Sequence, residues 1–368
     1  MDKYFVIAGE KSGDDHGSKL INAINKIEKS EFIGIGGDKM INEGLYSLYP
    51  LEKMAVMGFI EVIKHLKFFK KVEKKVLHEI TKQNIKAVIL IDYPGFNLRI
   101  SKKIKVKSSV PIIYYITPQL WAWKESRIKY LKRHVDEIIT IFPFEKKWYK
   151  ERNLNVHWVG HPYLDTYEAI DEKEAKKNLG INNKETCIAL FPGSREQEIN
   201  RHLKLFINSA NIISYKMKNV KILLHLIDNA EIKEKLPDNY LICRNKQKDV
   251  FCASKLAIIA SGTATIEATI FSTPMVVVYK MNFFTWLLSK IMIKTKFIAM
   301  PNIIANKLVV PEIIQHKANQ RIISMQALSI LNNATYIKQC IKELDIIKYL
   351  LNNGNASKNA AEKIKSVS

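Results

Sequence analysis

The sequence predicts an α/β protein with two halves of similar size, each built on a buried parallel sheet. Two observations carry this. Short apolar runs recur along the 368 residues, separated by longer Lys-rich stretches at helical spacing, which is the alternation of βαβ units. Gly/Ser/Thr turns follow several of those runs directly, where a chain would leave a strand and enter a helix. In open sheets of this kind ligands lie beyond the carboxyl ends of the strands, where these turns fall.

The runs of the first half are Tyr4–Ala8, Phe32–Ile35, Ala87–Ile91, Ile112–Ile116 and Glu137–Ile141. The polar stretch Asp171–Thr186 reads as a charged helical connector. The alternation resumes with Cys187–Leu190, Ile222–Leu226, Leu256–Ala260 and Met275–Tyr279. Beyond Pro311 the pattern is helical to about Ser357 and ends in a Lys-rich tail. The expected domains are 1–168 and 169–335, followed by C-terminal helices over 336–368.

Composition sets the outer limits. Apolar residues make up 47%, enough for sizeable cores and against wholesale disorder. The four cysteines, Cys187, Cys243, Cys252 and Cys340, form no CxxC pair and suit a reducing cytosol. Met1–Glu10 lacks the basic n-region of a signal peptide, and no apolar run nears the ~20 residues of a membrane span. The expectation is a cytoplasmic protein, at most lying on a membrane. A formal charge of +22 favours an anionic partner, although an Ile/Lys/Asn-rich composition also fills surfaces with lysine. No basic tail or Arg/aromatic segment singles out nucleic acid, which is not expected as a partner.

After the first run, Gly9 and Gly13 permit a tight turn, and Ser12 or Asp14 can cap the helix that follows. A metal cluster of Glu10, Asp14, Asp15 and His16 is disfavoured, because acids at a helix start stabilise its dipole anyway. Glu10, Ser12 and Asp14 read instead as a substrate-contacting loop. Gly34–Gly37 is a second close-approach turn, or a glycine turn that packs helix on sheet. Asp92 ends an apolar strand, placed to act as general base toward a hydroxyl; the structural alternative is a cap on the turn before Pro94. Trp121 and Trp123 beside Pro118, with Lys124 and Arg127 next, suggest a ligand wall, although core packing would explain one Trp.

In the second half, Gly193, Ser194 and Arg195 follow a strand. Backbone N–H groups and a guanidinium there suit a diphosphate without a metal. Ser261, Gly262 and Thr263 form a second such turn, and Glu267 can accept both hydroxyls of a ribose. No Asp-x-Asp motif is present, and neither a metal nor another cofactor is expected. Two stretches look membrane-directed. Phe59, Ile60, Val62, Ile63, Leu66 and Phe69 recur at helical spacing among lysines, and Phe283–Leu288 with Ile291–Ile293 form the second. A core-facing helix with a solvated lysine face is the alternative for both.

Assembled, these segments resemble the lipid-A-disaccharide synthase family. The matching motifs are AGEKSGD (Ala8–Asp14), GIGG (Gly34–Gly37), MGFIEV (Met57–Val62), IDYPGFN (Ile91–Asn97) and TPQLWAWKESR (Thr117–Arg127). They continue with PFE (Pro143–Glu145), VGHP (Val159–Pro162), FPGSREQEI (Phe191–Ile199), SGTATIE (Ser261–Glu267), MPNII (Met300–Ile304) and VPEIIQ (Val310–Gln315). They keep the family order over nearly the whole chain, with Thr117 where the family usually has Ser.

The resemblance implies the GT-B type: two Rossmann-like domains facing a central cleft, with C-terminal helices crossing back to the N-terminal domain. It implies an inverting glycosyltransferase acting on UDP-2,3-diacylglucosamine and 2,3-diacylglucosamine 1-phosphate, at the anionic cytoplasmic face of the inner membrane. Asp92 is then the expected catalytic residue. The donor side takes Gly193, Ser194, Arg195, Ser261, Gly262, Thr263, Glu267, Asn302, Glu312 and Gln315. The acceptor side takes Glu10, Ser12, Asp14, Trp121, Trp123 and Arg127. A homodimer is left open. The rivals are another GT-B enzyme, such as a 2-epimerase or a glycosyltransferase with a non-lipid acceptor, and a nucleic-acid-binding protein.

Overall fold

All nine apolar runs form parallel strands, with ends that move by a residue or two from the sequence-based limits. The first sheet consists of β1 (Lys3–Ala8), β2 (Glu31–Ile35), β3 (Leu45–Ser47), β4 (Ala87–Ile91), β5 (Ile112–Tyr115), β6 (Glu137–Thr140) and β7 (His157–Trp158). Its order is β3-β2-β1-β4-β5-β6-β7. The second consists of β8 (Thr186–Phe191), β9 (Val220–His225), β10 (Tyr240–Cys243), β11 (Ser254–Ala260), β12 (Met275–Tyr279) and β13 (Glu312–Ile314), in the order β10-β9-β8-β11-β12-β13. Every residue of β4 has 0% of its surface exposed, as a strand without polar residues requires when helices cover both faces. Each buried Val, Leu or Ile there contributes about 1.5–3 kcal/mol.

The computed structural model describes residues 1–54, 66–168, 170–227, 230, 232, 235–281, 286 and 295–368. The chain forms two compact units, Met1–Thr166 with Leu351–Ser368, and Tyr167–Leu350. Each has its own apolar core around its own sheet.

In the first unit the helix Lys11–Ile27 buries Leu20, Ile21 and Ile24 on one stripe. The helix Ala356–Val367 packs against it, with Ala360, Ala361 and Ile364 fully buried. The Lys-rich tail expected after Ser357 is therefore an amphipathic helix, whose apolar stripe of small residues is a faint signal in sequence. Asp165 fixes its start by accepting the Ala356 N–H at 2.7 Å and the Ser357 N–H at 2.8 Å.

Phe69 is not on a lipid-facing surface. It is 5% exposed and packs against Phe96 at 6.2 Å, within the core that Val72, Val76 and Ile80 of the same helix also fill. The described part of that helix, Leu66–Lys82, thus follows the core-facing alternative. Phe59, Ile60, Val62 and Ile63, the side chain of Leu66, and 283–285 with 287–293 of the second stretch lie outside the described residues.

Candidate active site

Strand order reverses in the first sheet between β1 and β4, which pair in parallel from Tyr4↔Ala87 to Ala8↔Ile91. In α/β sheets ligands bind at such a reversal, beyond the carboxyl ends of the strands. Gly9–Glu10 leaves β1, and Asp92–Tyr93 leaves β4.

Asp92 and Tyr93 are both left-handed, with φ of 42° and 49°. Two successive non-glycine residues in that region cost about 1–2 kcal/mol each, so the surroundings must impose the turn. They do so from several directions. The Asp92 N–H donates to Tyr115 O at 3.1 Å, and the Asp92 carbonyl accepts from Tyr114 OH at 2.6 Å and Asn97 Nδ2 at 2.8 Å. Tyr93 OH donates to Met54 O at 2.7 Å. A Cβ on Gly9 would lie 2.2 Å from the Tyr93 ring, so only glycine lets the two loops meet this closely. Burial raises the Tyr93 phenol to about 12, leaving it a neutral donor. Asp92 itself is half-buried at the mouth of this turn.

The next loop, after β5, is also forced. Ile116, a β-branched residue, has φ 61°, and Lys124 has φ 53°. Glu145, 1% exposed, staples the loop from below. It accepts from Thr117 Oγ1 at 3.0 Å, Trp121 Nε1 at 3.1 Å and the Phe142 N–H at 3.2 Å. Burial pushes its carboxyl up to about 7 despite these donors. Trp121 is consequently a buried anchor, 7% exposed and edge-on to Phe144 at 5.0 Å, and does not form a ligand wall. Trp123 is 40% exposed, with Lys124 and Arg127 against its ring.

Asp14, expected on the acceptor side, is 5% exposed and serves as an internal tie. Its carboxylate accepts the N–H groups of Gly37 at 2.8 Å, Met40 at 3.1 Å and Lys39 at 3.2 Å, tying the first loop to the Gly34–Gly37 turn. It caps the helix Asp38–Asn42 rather than its own, at whose N-cap Glu10 stands without a side-chain cap. Glu10 and Ser12 are half-buried. The other members of the disfavoured metal cluster also separate. Asp15 pairs with Lys39, and His16 is buried beside His161 and Tyr163, its imidazole lowered to about 4 by burial.

The second sheet repeats the plan. Its order reverses between the paired strands β8 and β11, so Gly193–Ser194–Arg195 and Ser261–Gly262–Thr263 leave adjacent strands at one edge. Gly193 has φ 145°, and a Cβ there would come within 2.4 Å of Glu198. Glu198, which the sequence reading did not single out, packs over this turn. It accepts the Ser194 N–H at 3.0 Å, Ser194 Oγ at 3.5 Å and Arg195 Nη1 at 3.1 Å. A signal for it existed, since a Glu at the third position of a helix commonly reaches back to its N-terminal backbone.

Thr263 and Gly262 are exposed, and Glu267 is half-buried in the short helix Ala264–Ile270. Ser261 Oγ donates to Ile298 O at 3.3 Å.

Asn302, Glu312 and Gln315, expected to line the donor side, are internal supports. Asn302 Oδ1 accepts from Val309 N and Val310 N at 2.8 and 2.9 Å; its Nδ2 donates to Val310 O and Glu312 Oε1, both at 2.8 Å. All four capacities of the amide are occupied, leaving none for a ligand. Glu312 also accepts the N–H groups of Ile298 at 3.0 Å and Ala299 at 2.9 Å, fixing the start of the helix Met300–Ala305. Gln315, with φ 52°, makes a reciprocal pair with the backbone of Met281 at 2.8 and 3.2 Å.

The chain matches the lipid-A-disaccharide synthetase family over residues 4–365. Lipid-A-disaccharide synthase 1 of Legionella pneumophila subsp. pneumophila (strain Philadelphia 1) is 34% identical over 359 residues, covering 95% of this chain and 94% of that protein. The lipid-A-disaccharide synthase of Acinetobacter baylyi is 34% identical over 369 residues, covering 95% and 93%. Among solved structures, an S. aureus MnaA–UDP co-structure superposes with a TM-score of 0.68 at 13% identity, covering 100% of this chain and 97% of that one, a likeness of fold.

Proposed function

The chain belongs to the lipid-A-disaccharide synthetase family, and from its place there as a GT-B glycosyltransferase of lipid A disaccharide synthesis we propose how its residues divide the reaction. The enzyme condenses UDP-2,3-diacylglucosamine with 2,3-diacylglucosamine 1-phosphate, giving the β-1,6-linked disaccharide 1-phosphate and UDP. The Asp92 carboxylate takes the proton of the acceptor 6-hydroxyl as that oxygen bonds to the donor anomeric carbon. The bond from this carbon to the diphosphate breaks on the opposite face, its electron pair leaves with UDP, and a single displacement inverts the configuration.

The leaving diphosphate gains negative charge as the bond breaks, which preorganised donors stabilise without a metal. Arg195 and the Ser194 N–H are those donors in the second unit, beside Gly193. The turn of Ser261, Gly262 and Thr263 supports the phosphates, and Glu267 accepts the ribose hydroxyls. Glu10 and Ser12 border the acceptor in the first unit. The acyl chains remain in the bilayer, and the enzyme binds peripherally to the anionic cytoplasmic face of the inner membrane. The net charge of +22 supports this, and no described helix is long and apolar enough to cross a membrane.

One observation carries the catalytic assignment: Asp92 sits in an imposed left-handed turn, at the point where strand order reverses. The test incubates the full-length enzyme with both lipid substrates. UDP and disaccharide 1-phosphate are the expected products, and the absence of both would sink the reading.

A further inference from the structure

Trp123, Lys124 and Arg127 make a cationic platform on the loop after β5, the strand paired with β4, which ends at Asp92. Lys124 Nζ lies 4.6 Å from the centroid of the Trp123 ring, and Arg127 Cζ lies 5.7 Å from it. The indole is the more exposed of the loop's two, whereas Trp121 is buried. Among the described residues neither cation is ion-paired with an acid; Glu125, between them in sequence, bonds to Arg152 at 2.7 Å. Two like charges converging on one ring repel each other. Desolvation first, and Arg127 second, hold the Lys124 ammonium below the usual lysine range. An arrangement of this kind is relieved by an anion.

The platform is held in place. Lys124 is left-handed, Arg127 N donates to Lys124 O at 3.0 Å, and Trp123 N donates to Gln119 O at 3.3 Å. Buried Glu145 fixes the base of the same loop through Thr117 and Trp121. The platform is also near the chemistry. Tyr114 OH donates to Asp92 O at 2.6 Å, and that hydroxyl lies in the fields of both Asp92 and Arg127.

The geometry points to a phosphomonoester subsite for a hexose 1-phosphate, with Lys124 and Arg127 taking the phosphate and the Trp123 indole taking a face of the sugar. This rests on the acceptor proposed above. A phosphomonoester carries about −1.5 to −2 charge near neutral pH, which two cations match. Arg gives a planar fork to its oxygens and Lys a point charge. An acceptor acylated at positions 2 and 3 keeps free hydroxyls at 4 and 6. A fixed 1-phosphate limits which of these can reach Asp92, so the subsite also serves regiochemistry.

The test uses full-length enzyme with diacylglucosamine 1-phosphate and, separately, with dephosphorylated diacylglucosamine. For Lys124→Met/Arg127→Met, the ratio of kcat/KM for the two acceptors should fall about 10–100-fold, the worth of charge-assisted bonds to phosphate. Lys124→Arg should retain most of it, and the KM for UDP-diacylglucosamine should not change. An unchanged ratio overturns the subsite. So does loss of binding to phosphatidylglycerol vesicles with the ratio intact, which would assign the cations to lipid headgroups. A separate arm needs no turnover: glucosamine 1-phosphate, and not glucosamine, should quench tryptophan fluorescence in the wild type and fail to do so in Trp123→Leu. Quenching without disaccharide formation by the wild type would overturn the proposed reaction while leaving the subsite standing; no quenching overturns the subsite.

Discussion

Glu198 Oε1 lies 3.1 Å from Arg195 Nη1, while its other oxygen accepts the Ser194 N–H at 3.0 Å. The carboxylate thus occupies the same donors that would receive the UDP diphosphate. Both side chains are substantially exposed, at 44% and 30%, so the pair is weak and readily exchanged for a phosphate.

Glu198→Gln should therefore tighten UDP about 3–10-fold in isothermal titration, by removing a like charge from the cradle. Arg195→Ala should weaken UDP about 10–100-fold. Weaker UDP binding by Glu198→Gln would show that Glu198 instead orients Arg195.

Gly9→Ala places a methyl 2.2 Å from Tyr93 Cδ1, and the ring has to move. Overpacking of this kind costs about 1–3 kcal/mol, read as a lower urea midpoint, and turnover should fall with it because Tyr93 shapes the Asp92 turn. The double variant with Tyr93→Ala should lose less than the sum of the single variants. Additive losses would mean that the contact is not what requires glycine.

Glu145 makes stability depend on pH. Its folded carboxyl is raised from the ordinary 4.5 to about 7, so the unfolded state gives up its proton first. Stability is then greatest below about pH 4.5 and declines by ~3 kcal/mol as pH rises through 7. His16, lowered to about 4, acts in the opposite sense, and only a difference isolates Glu145. Urea unfolding between pH 4.5 and 7.5 should show that decline in the wild type relative to Glu145→Gln. Parallel profiles would remove Glu145 as its source.

The strands that the sequence did not disclose are β3, β7, β10 and β13, the last in a stretch beyond Pro311 expected to be helical, and all four are sheet edges. They are two to four residues long and partly exposed, so they lack the continuous apolar run that burial on both faces imposes on β4. That Asp92 and Gly193–Arg195 stand in turns was legible because an apolar run ends directly in them. The contacts of Asp14, Trp121, Asn302 and Glu145 were not. Each is set by a partner outside its own run, such as the Gly37 N–H that meets Asp14 or the Trp121 indole that meets Glu145. Periodicity reports which face of a segment is buried. It carries no record of which remote donor a side chain meets.

Turnover rests on Asp92 as the group that takes the acceptor proton. The most direct measurement is Asp92→Asn, assayed for disaccharide formation at saturating substrates alongside UDP affinity. kcat should fall about 10²–10⁴-fold, the range for a lost general base, while the Kd for UDP stays within about two-fold. Turnover near the wild-type rate would remove Asp92 as the base.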